Sequence, residues 1–446
     1  MSDLDMRRYL PADSREDAVP AISRALADAR ALPDPVLRFP PGVWHLWPDR
    51  AFERHLFISN HDAGLKRLAF PLAGFNGLEI AGDRTEFRLH GRVLPFAIED
   101  CRRVTLRGIT LDTDRSFFSQ GLVAAAGPDW VELEMDRASY PFEAVPGELI
   151  FKGANWTSEP DTILLLTEFD PVRKEPAWRS RHTQVRMRDL AARETPEGRL
   201  CFHAKFHRPC TPGNQLVMVH EKRHCPAIFV SRSEDVLVED VTIYQAGAMG
   251  LIVQLTRNVT VRRLSVCLRP GTERMVSTNG DATHFVHCSG AILIEDGVFE
   301  NMMDDAVNIH GMYAVVTGLP GPRELELRLM HRQQAGIPIL GPGDRLAITE
   351  RATLMRRSQI TAVAVEAINS HYLLVAVEEP LEGRVVLGDA VENVSRMPSE
   401  VVIRRCRSGR NRPRGFLLTA PGRARVEDCE FHNAQHGIHI GGDASY

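Results

Sequence analysis

Paired aspartates stand in the stretch NMMDDAVNIHG at 301–311, where Asp304 and Asp305 are neighbours. Asp is disfavoured in strands and common in turns, so an isolated pair predicts a turn. Here the pair leads into Asn308 and His310, which alternate with apolar residues as on a strand with one polar face. Acid–base cleavage of a glycosidic bond requires one protonated and one ionised carboxyl, and such a cluster can provide both.

A repeated strand pattern indicates the elements that would position these residues. It reads apolar-x-apolar, two polar or Gly residues, apolar-x-apolar, and the starts at 236 and 259, like those at 401 and 424, are 23 residues apart. The copies are VTLRGITL at 104, VLVEDVTI at 236, VTVRRLSV at 259, ILIEDGVF at 292, VVIRRCRS at 401 and ARVEDCEF at 424. Self-similarity at a fixed short period is typical of solenoid proteins.

A second, shorter strand with alternating polarity follows each copy from 236 onward. These strands are GLIVQ at 250, ATHFV at 282, AVNIH at 306, GFLLT at 415 and GIHIG at 437. Two short strands per repeat, with no amphipathic helical run between them, predict an all-β fold, a right-handed parallel β-helix.

The N-terminal segment predicts a helix that caps the first coil. One helical face of DSREDAVPAISRALADARAL at 13–32 carries Val19, Ile22, Leu26 and Ala29. Asp13 or Ser14 is the expected N-cap.

Two stretches interrupt the repeat and are too long for loops. Each contains short alternating strands, so we predict two β-rich inserted subdomains, the second barrel-like. The predicted organisation is an N-terminal cap with the first coils at 1–121, a β-rich insert at 122–225, central coils with the active site at 226–311, a barrel-like insert at 312–399 and C-terminal coils at 400–446.

Alignment of the second strands brings distant residues into columns. Asp281 and Asp305 precede equivalent strands, so they should lie on neighbouring coils of one outer face, with carboxyl oxygens roughly 5–10 Å apart and Asp304 beside them. Crowded carboxylates raise at least one pKa, which a purely structural turn would avoid. The outward positions around them predict substrate-binding residues, namely His284, Asn308, His310, Gln254 and His439.

Two other interpretations of the aspartates stay open at this point. They are stacked turn residues with solvated charges, or a calcium site made from the same oxygens. Each of the nearby histidines is by default an ordinary surface residue.

Composition excludes several classes of function. The net charge of −4 gives no electrostatic reason to bind nucleic acid or an anionic membrane. The eight cysteines lack the spacing of a zinc site, and no apolar run approaches the length of a membrane helix. The N-terminus has no apolar signal-peptide region, so we expect a cytoplasmic protein without membrane insertion.

Several longer stretches resemble one known family. They are FPPGVWHLWP at 39–48, ISNHDAGLKRLAFPL at 58–72, HCPAIFVS at 224–231, YQAGAMGLIVQLTRNVTV at 244–261, GDATHFVHCSGAILIEDGVFENMMDDAVNIHG at 280–311 and HGIHIGGDASY at 436–446. The ordered set resembles the parallel β-helix α-1,3-galactosidases, glycoside hydrolase family one hundred and ten.

This resemblance implies an exo-acting glycoside hydrolase that releases terminal α-1,3-linked galactose with inversion of the anomeric centre. It implies no cofactor and no metal, and it assigns the catalytic carboxylates to Asp281, Asp304 and Asp305. The expected partner is a galactose-terminated oligosaccharide, with a homodimer as a candidate assembly. Family members are commonly exported and continue with further coils beyond the equivalent of Tyr446.

Two alternative functions remain at this point. A polygalacturonase-like hydrolase would need Arg or Lys beside its acids to bind a uronate, and the aligned column offers Arg414, two copies away from Asp281, and no Lys. A non-catalytic glycan-binding solenoid would need aromatic platforms, whereas aromatic residues make up 7% of the chain. A hydrolase of a neutral sugar is therefore the favoured interpretation.

Overall fold

The computed structural model describes residues 2–145, 148–221, 223–419 and 422–442. Within these ranges strands predominate, and the one α-helix is Val19–Ala29. Short 3-10 helices lie at Met6–Arg8, Pro48–Arg50, Met187–Asp189 and Arg332–Gln334. Among the described residues, no helix is both long and apolar enough to cross a membrane.

A 14-stranded sheet, here called the long sheet, runs along the molecule. Its strands pair in parallel, and the repeat copies lie in the expected register: Val104 opposes Val236, which opposes Val259, and Ile292 and Val401 follow. Its strands are Ser2–Asp5, Pro35–Phe39, Gly42–Leu46, Glu79–Leu89, Arg102–Thr113, Glu234–Ile243, Arg257–Arg262, Ser265–Val266, Ser289–Glu295, Val298–Glu300, Pro398–Arg404, Arg407–Gly409, Arg423–Glu427 and Glu430–His432.

A nine-stranded sheet, here called the site sheet, forms a second wall of the solenoid. Its strands are Phe52–Leu56, Gly64–Ala73, Leu94–Glu99, Ile228–Ser231, Leu251–Gln254, Thr283–Val286, Val307–His310, Arg414–Leu418 and His436–Ile440. All neighbours are parallel except the first pair. Two parallel sheets built from successive coils confirm the predicted β-helix.

The interior between the sheets is a single apolar core. Alternating residues of each strand point into it, and rings of Phe39, Phe70, Phe87 and Phe96 pack on one another in the first coils. Burial of each such side chain stabilises the fold by about 1.5–3 kcal/mol. The stack of coils thereby provides a rigid support for the polar residues on its outer faces.

The capping helix is present, but its predicted N-cap was wrong. The helix begins at Val19 with Ala18 as N-cap, and the Asp17 carboxylate accepts hydrogen bonds from the backbone N–H groups of Val19 and Trp47. Pro20 explains the later start, because proline is tolerated in the first turn of a helix and not in its interior. The predicted apolar face is buried in the coil core.

The first interruption of the coils holds two antiparallel sheets. The larger contains Phe118–Ala126, Trp130–Met135, Ile163–Asp170, Glu175–Pro176, Thr183–Arg186, Arg193–Glu194, Leu200–His203 and Gln215–Val219. The smaller contains Phe142–Val145, Glu148–Gly153 and Trp156–Thr157. This region has an apolar core of its own, separate from that of the coils.

The second interruption is a closed six-stranded barrel. Its strands are Tyr313–Gly321, Glu324–Leu329, Arg345–Thr349, Arg356–Ala367, Tyr372–Val377 and Ala390–Asn393. The 3-10 helix Arg332–Gln334 leaves the barrel toward the coils, where Asn60 N–H donates to the carbonyl of Gln333 at 3.1 Å. The barrel thus holds a loop of the first coils in place beside the site sheet.

Candidate active site

A pocket of about 520 Å³ opens on the site sheet beside the barrel. Seven of the eight predicted site residues line it, namely Asp281, Asp304, Asp305, His284, Asn308, His310 and His439. Larger cavities of about 910, 890 and 770 Å³ are lined mainly by other residues, although the last of them shares Arg223 and Gln333 with this pocket. Among the described residues, however, this pocket holds the group of three acids whose oxygens converge.

The three carboxylates are closer together than the sequence predicted. One oxygen each of Asp281, Asp304 and Asp305 lies within 4.8 Å of the others, so the predicted spacing of 5–10 Å was wrong. Asp281 and Asp305 precede strands that pair directly, His284 opposite Asn308, and adjacent strands are about 4.8 Å apart. Side chains in one column are therefore separated by a single strand spacing.

Gln254 is the one predicted residue that the structure places outside the pocket. It is buried, and its amide accepts a hydrogen bond from the Ser59 N–H and donates to the Phe57 carbonyl and the Ser231 hydroxyl. Its side chain thus anchors the loop that carries Asn60 and is not available to a ligand.

Arginines provide counter-charges for two of the acids. Arg414, the next residue in the aligned column, donates to both oxygens of Asp305 at 2.8 and 2.9 Å. Arg223 lies 3.8 Å from Asp304, and its guanidinium also donates to the Asn60 carbonyl. A charge-assisted, bidentate pair of this kind favours the ionised form of Asp305.

Burial dominates the protonation of the cluster. It raises the pKa of Asp281 to about 7, with the Asp304 charge adding to the effect. Burial and the charges of Asp281 and Asp304 likewise raise the pKa of Asp305, which Arg414 opposes. The carboxyls titrate as a unit, and the cluster retains a proton near neutral pH. Since Arg414 holds Asp305 as an anion, we place that proton on Asp281.

Asp281 is surrounded by polar groups although only 2% of it is exposed. It accepts hydrogen bonds from the backbone N–H of Asp305 at 3.3 Å and from the Asn308 amide at 3.4 Å, and its Oδ2 lies 2.6 Å from His284 Nδ1. Burial and Arg223 lower the pKa of His284 to about 3, so this imidazole is neutral.

The two polar atoms of the Asn308 side-chain amide have different environments. Its amide nitrogen points to Asp281, while its Oδ1 is buried and has no hydrogen-bond partner among the described residues. A buried acceptor left unsatisfied costs about 1–3 kcal/mol, which a ligand hydroxyl would recover.

Sequence reasoning missed several residues of the pocket, among them Asn60 and Arg223. Asn60 arrives from the first coils and Arg223 from the end of the first insert, and neither belongs to the aligned strands. The only signal for Asn60 was its place in the stretch ISNHDAGL at 58–65, and nothing in the local sequence marked Arg223.

A bound cation fits this site poorly. The three acids have the spacing of a cation site, but Arg414 occupies both oxygens of Asp305 and already supplies positive charge. The calcium interpretation is therefore disfavoured by the chemistry of the residues themselves.

Comparisons with known proteins place the whole arrangement in one family. The models "GLAA-B beta-barrel domain I" and "GLAA-B beta-barrel domain II" match residues 119–216 and 324–391, within the two interruptions of the coils. Alpha-1,3-galactosidase A of Shewanella woodyi is 32% identical over 431 residues, covering 96% of this chain and 70% of that protein.

Two further relatives agree. Alpha-1,3-galactosidase B of Akkermansia muciniphila is 30% identical over 96% of this chain and 54% of its own length. Alpha-1,3-galactosidase B of Bacteroides thetaiotaomicron is 29% identical over 98% of this chain and 71% of its own length. With near-complete coverage of its own length, the chain belongs to the alpha-1,3-galactosidase family.

Proposed function

We propose that this protein is a glycoside hydrolase that removes terminal α-1,3-linked galactose from oligosaccharides or glycoconjugates. The observation that carries the proposal is the convergence of three carboxylates in a pocket of a chain with α-1,3-galactosidase relatives, where burial raises the pKa of Asp281 to about 7. Pockets of this volume commonly enclose a small ligand, and a terminal sugar is one.

Asp281 is the general acid in this mechanism. Its carboxyl holds a proton in neutral and mildly acidic solution because burial disfavours the charged form. It donates that proton to the glycosidic oxygen, which keeps the electron pair of the breaking C–O bond. General acid catalysis of this kind typically accelerates a reaction about 10²–10⁴-fold.

Asp304 is the base, and Asp305 stabilises charge. Asp304 has the most accessible side chain of the three, 20% exposed, so it takes the proton from the attacking water. Asp305, ionised against Arg414, supports the positive charge that develops at the anomeric carbon.

Recognition of galactose is assigned to the remaining polar groups of the pocket. Asn308 offers a buried acceptor for a sugar hydroxyl, and His439 lines the same wall one coil beyond Leu417. We propose that these residues bind the axial hydroxyl that distinguishes galactose from glucose. His284 is 1% exposed and lies behind Asp281, so it is not assigned to the sugar.

The stereochemical outcome follows from how water reaches the sugar. Inverting glycosidases usually separate their carboxyls by about 6.5–9.5 Å and retaining ones by about 5–5.5 Å, both wider than the closest approach here. The family resemblance implies inversion, and we propose it with Asp281 beside the leaving oxygen and with the water bound at Asp304 attacking the anomeric carbon from the opposite face of the ring. The spacing also permits Asp304 to act as a nucleophile, which would give retention.

A uronate-cleaving hydrolase is less consistent with the pocket. Arg414 would be the natural partner of a substrate carboxylate, but the Nε–Nη2 edge of its guanidinium, which gives bidentate binding, already donates to Asp305. Arg223 is engaged with the Asn60 carbonyl and lies beside Asp304.

The test is galactose release from Gal-α-1,3-Gal, compared with a panel of p-nitrophenyl glycosides and with polygalacturonate. We expect free galactose from the α-galactosides, with the β-anomer as the first product in proton NMR. Cleavage of polygalacturonate without galactose release would overturn the proposal, and an α-anomer as first product would replace inversion by retention. A cytoplasmic location and a homodimer stay predictions, to be checked by cell fractionation and analytical ultracentrifugation.

A further inference from the structure

A chain of short contacts leads from Asp281 to the rim of the pocket. Asp281 Oδ2 is 2.6 Å from His284 Nδ1, His284 Nε2 is 2.8 Å from His310 Nε2, and His310 Nδ1 is 2.6 Å from the Gly311 carbonyl. His284 is buried, whereas His310 is half-buried and lines the pocket. The strands fix this geometry, since His284 and His310 lie on directly paired strands of the site sheet.

These contacts determine how many protons the chain holds. Each of the three distances is that of a hydrogen bond and needs one proton. A neutral imidazole carries one N–H, so His284 and His310 supply two. The third proton belongs either to Asp281 as a carboxylic acid or to an imidazolium, and in both cases the three groups together are neutral.

The surroundings decide between the two arrangements. Burial, followed by the positive charge of Arg223, lowers the pKa of His284, which opposes an imidazolium there. A proton on Asp281 instead places no charge in the buried part of the chain. The charged and titratable groups that face this chain from neighbouring elements include Asp304, Asp305, Arg223, Arg414, His61, His287 and, beside Gly311, Glu392 of the barrel.

Asn60 can stabilise the two histidines when the third proton has left Asp281. Without that proton, lone pairs of the two Nε2 atoms would face each other at 2.8 Å, which is unfavourable. The Asn60 amide nitrogen lies 2.9 Å from the Nε2 of His284 and 3.4 Å from that of His310, so it can donate to either. Repulsion between the two lone pairs therefore disfavours loss of the proton from Asp281, and the hydrogen bond from Asn60 makes that loss possible.

We propose that His284 and His310 are positioning residues that keep Asp281 protonated between turnovers, and that Asn60 accommodates the chain after Asp281 has delivered its proton. This inference rests on the proposed function for the assignment of Asp281 as the acid. In one turnover the Asp281 O–H bond breaks and its proton joins the leaving oxygen. The attacking water loses a proton to Asp304, and that proton returns to Asp281, so the protons balance.

Nitrogen-15 NMR of histidine-labelled protein tests the proton count without any substrate. At neutral pH we expect His284 to carry its proton on Nε2 and His310 to carry its proton on Nδ1, both rings neutral. Asp281→Asn should preserve this pattern, because an amide N–H replaces the carboxyl O–H toward His284 Nδ1. A doubly protonated His284 or His310 at neutral pH would overturn the proposal.

The pH profile of kcat/KM tests the effect on the acid. In His284→Gln and His310→Gln the basic limb should move to lower pH by about one unit or more, because the acceptor that favours the protonated carboxyl is altered. KM should change less than kcat. The matched control is His203→Gln, an exposed histidine of the first insert, whose profile should equal that of the wild type.

The outcomes distinguish a failure of the positioning role from a failure of the proposed galactosidase function. If both variants keep the basic limb in place, the positioning role is wrong even if galactose is released. If one variant fails to fold, the tautomer pattern of the wild-type protein still decides. The expected tautomers in a protein that releases no galactose would support the proton chain and reject the proposed function.

Discussion

Two columns of stacked charged residues run along the same solenoid and differ in what stands beside each carboxylate. The first column, here called the ladder, lies on the outer face of the long sheet, where Asp240 pairs with Arg263 and Asp296 with Arg405, at 2.8 and 2.7 Å. The second column, here called the site column, lies on the site sheet, where Asp281 is followed in the next coil by Asp305, another acid, and only then by Arg414. The spacing between coils is the same in both columns.

The two columns have opposite electrostatic character. Hydrogen bonds from Arg263 and Arg405 lower the pKa values of Asp240 and Asp296. Burial and neighbouring acids raise those of Asp281 and Asp305. The β-helix thus stacks residues at one distance, and the residue type in the adjacent coil decides whether a carboxylate is a structural ion or a potential proton donor.

Substitution of the acids of the site column should have the largest effect, a loss of catalytic activity. Asp281→Asn should lower kcat by about 10²–10⁴-fold, because the acid is lost while size and shape are kept. Asp304→Asn and Asp305→Asn should each lose most activity as well. Galactose release from Gal-α-1,3-Gal measures the effect, and circular dichroism verifies the fold.

The matched control for these variants is Asp296→Asn in the ladder of the long sheet. It makes the same chemical change beside the other sheet and should leave kcat/KM unaltered. Full activity in Asp281→Asn would show that Asp281 is a structural residue, like the carboxylates of the ladder, and not the general acid.

Arg414→Met should produce the next largest effect. It leaves the 1%-exposed Asp305 without its partner, and breaking a buried pair costs up to about 3–5 kcal/mol of unfolding free energy. Activity should fall with it, because a protonated Asp305 cannot stabilise positive charge. Urea denaturation of this variant is compared with that of Arg405→Met, whose side chain is 46% exposed. The loss in Arg405→Met should be far milder, because the buried Glu295 that Arg405 also contacts keeps Arg262 and Arg404 as partners. Equal losses in the two variants would contradict the distinction between the columns.

The pH dependence of stability should differ in sign between the columns. Burial raises the pKa of Asp281 to about 7 and the acids titrate as a unit, so the folded protein holds one proton more than the unfolded chain between about pH 4 and 7. Stability from this source is present at low pH and is lost as pH rises, by at most about 1.4 kcal/mol per pH unit for each proton. The lowered pKa values of Asp240 and Asp296 act oppositely, with stability lost as pH falls below about 4.

Thermal melts between pH 5 and 8 measure this difference. The gap in Tm between Asp281→Asn and the wild type should widen in favour of the variant as pH rises. Asp240→Asn should show no such trend over that range. A constant gap for Asp281→Asn would mean that its carboxyl titrates as an ordinary one.

The smallest effect is expected from single changes in the ladder. Asp240→Asn should lower Tm only slightly, since exposed ion pairs are screened by water and salt. The difference should shrink in high salt, because the Debye length falls to about 3 Å at 1 M. A loss that persists in high salt would indicate that the ladder stabilises the coils by something other than charge.

Much of the fold was readable because it is periodic. Apolar residues at alternate positions in each copy predict both the strands and their register, and Val236, Val259 and Ile292 stack as the alignment expects. The start of the capping helix was predicted wrongly, because Asp13 and Ser14 have the right chemistry for a cap while Pro20 sets the helix start.

The candidate site was partly readable for the same reason. Asp281 and Asp305, like His284 and Asn308, occupy equivalent places in successive repeats, and His310 lies two residues beyond Asn308 on the same strand, so stacking brings them together. Gln254 occupies such a place too, yet its amide is taken by the loop at 57–59, a partner that no repeat predicts.

The sequence by itself determined the period, the two strands of each coil and the column of polar residues, since these depend on interactions between neighbouring repeats. Tertiary structure alone decided the depth of the pocket, the pairing of Arg414 with Asp305, and the arrival of Asn60 and Arg223. These depend on contacts between segments more than 100 residues apart in sequence. Burial, which sets the proton on Asp281, exists only once those segments have closed over it.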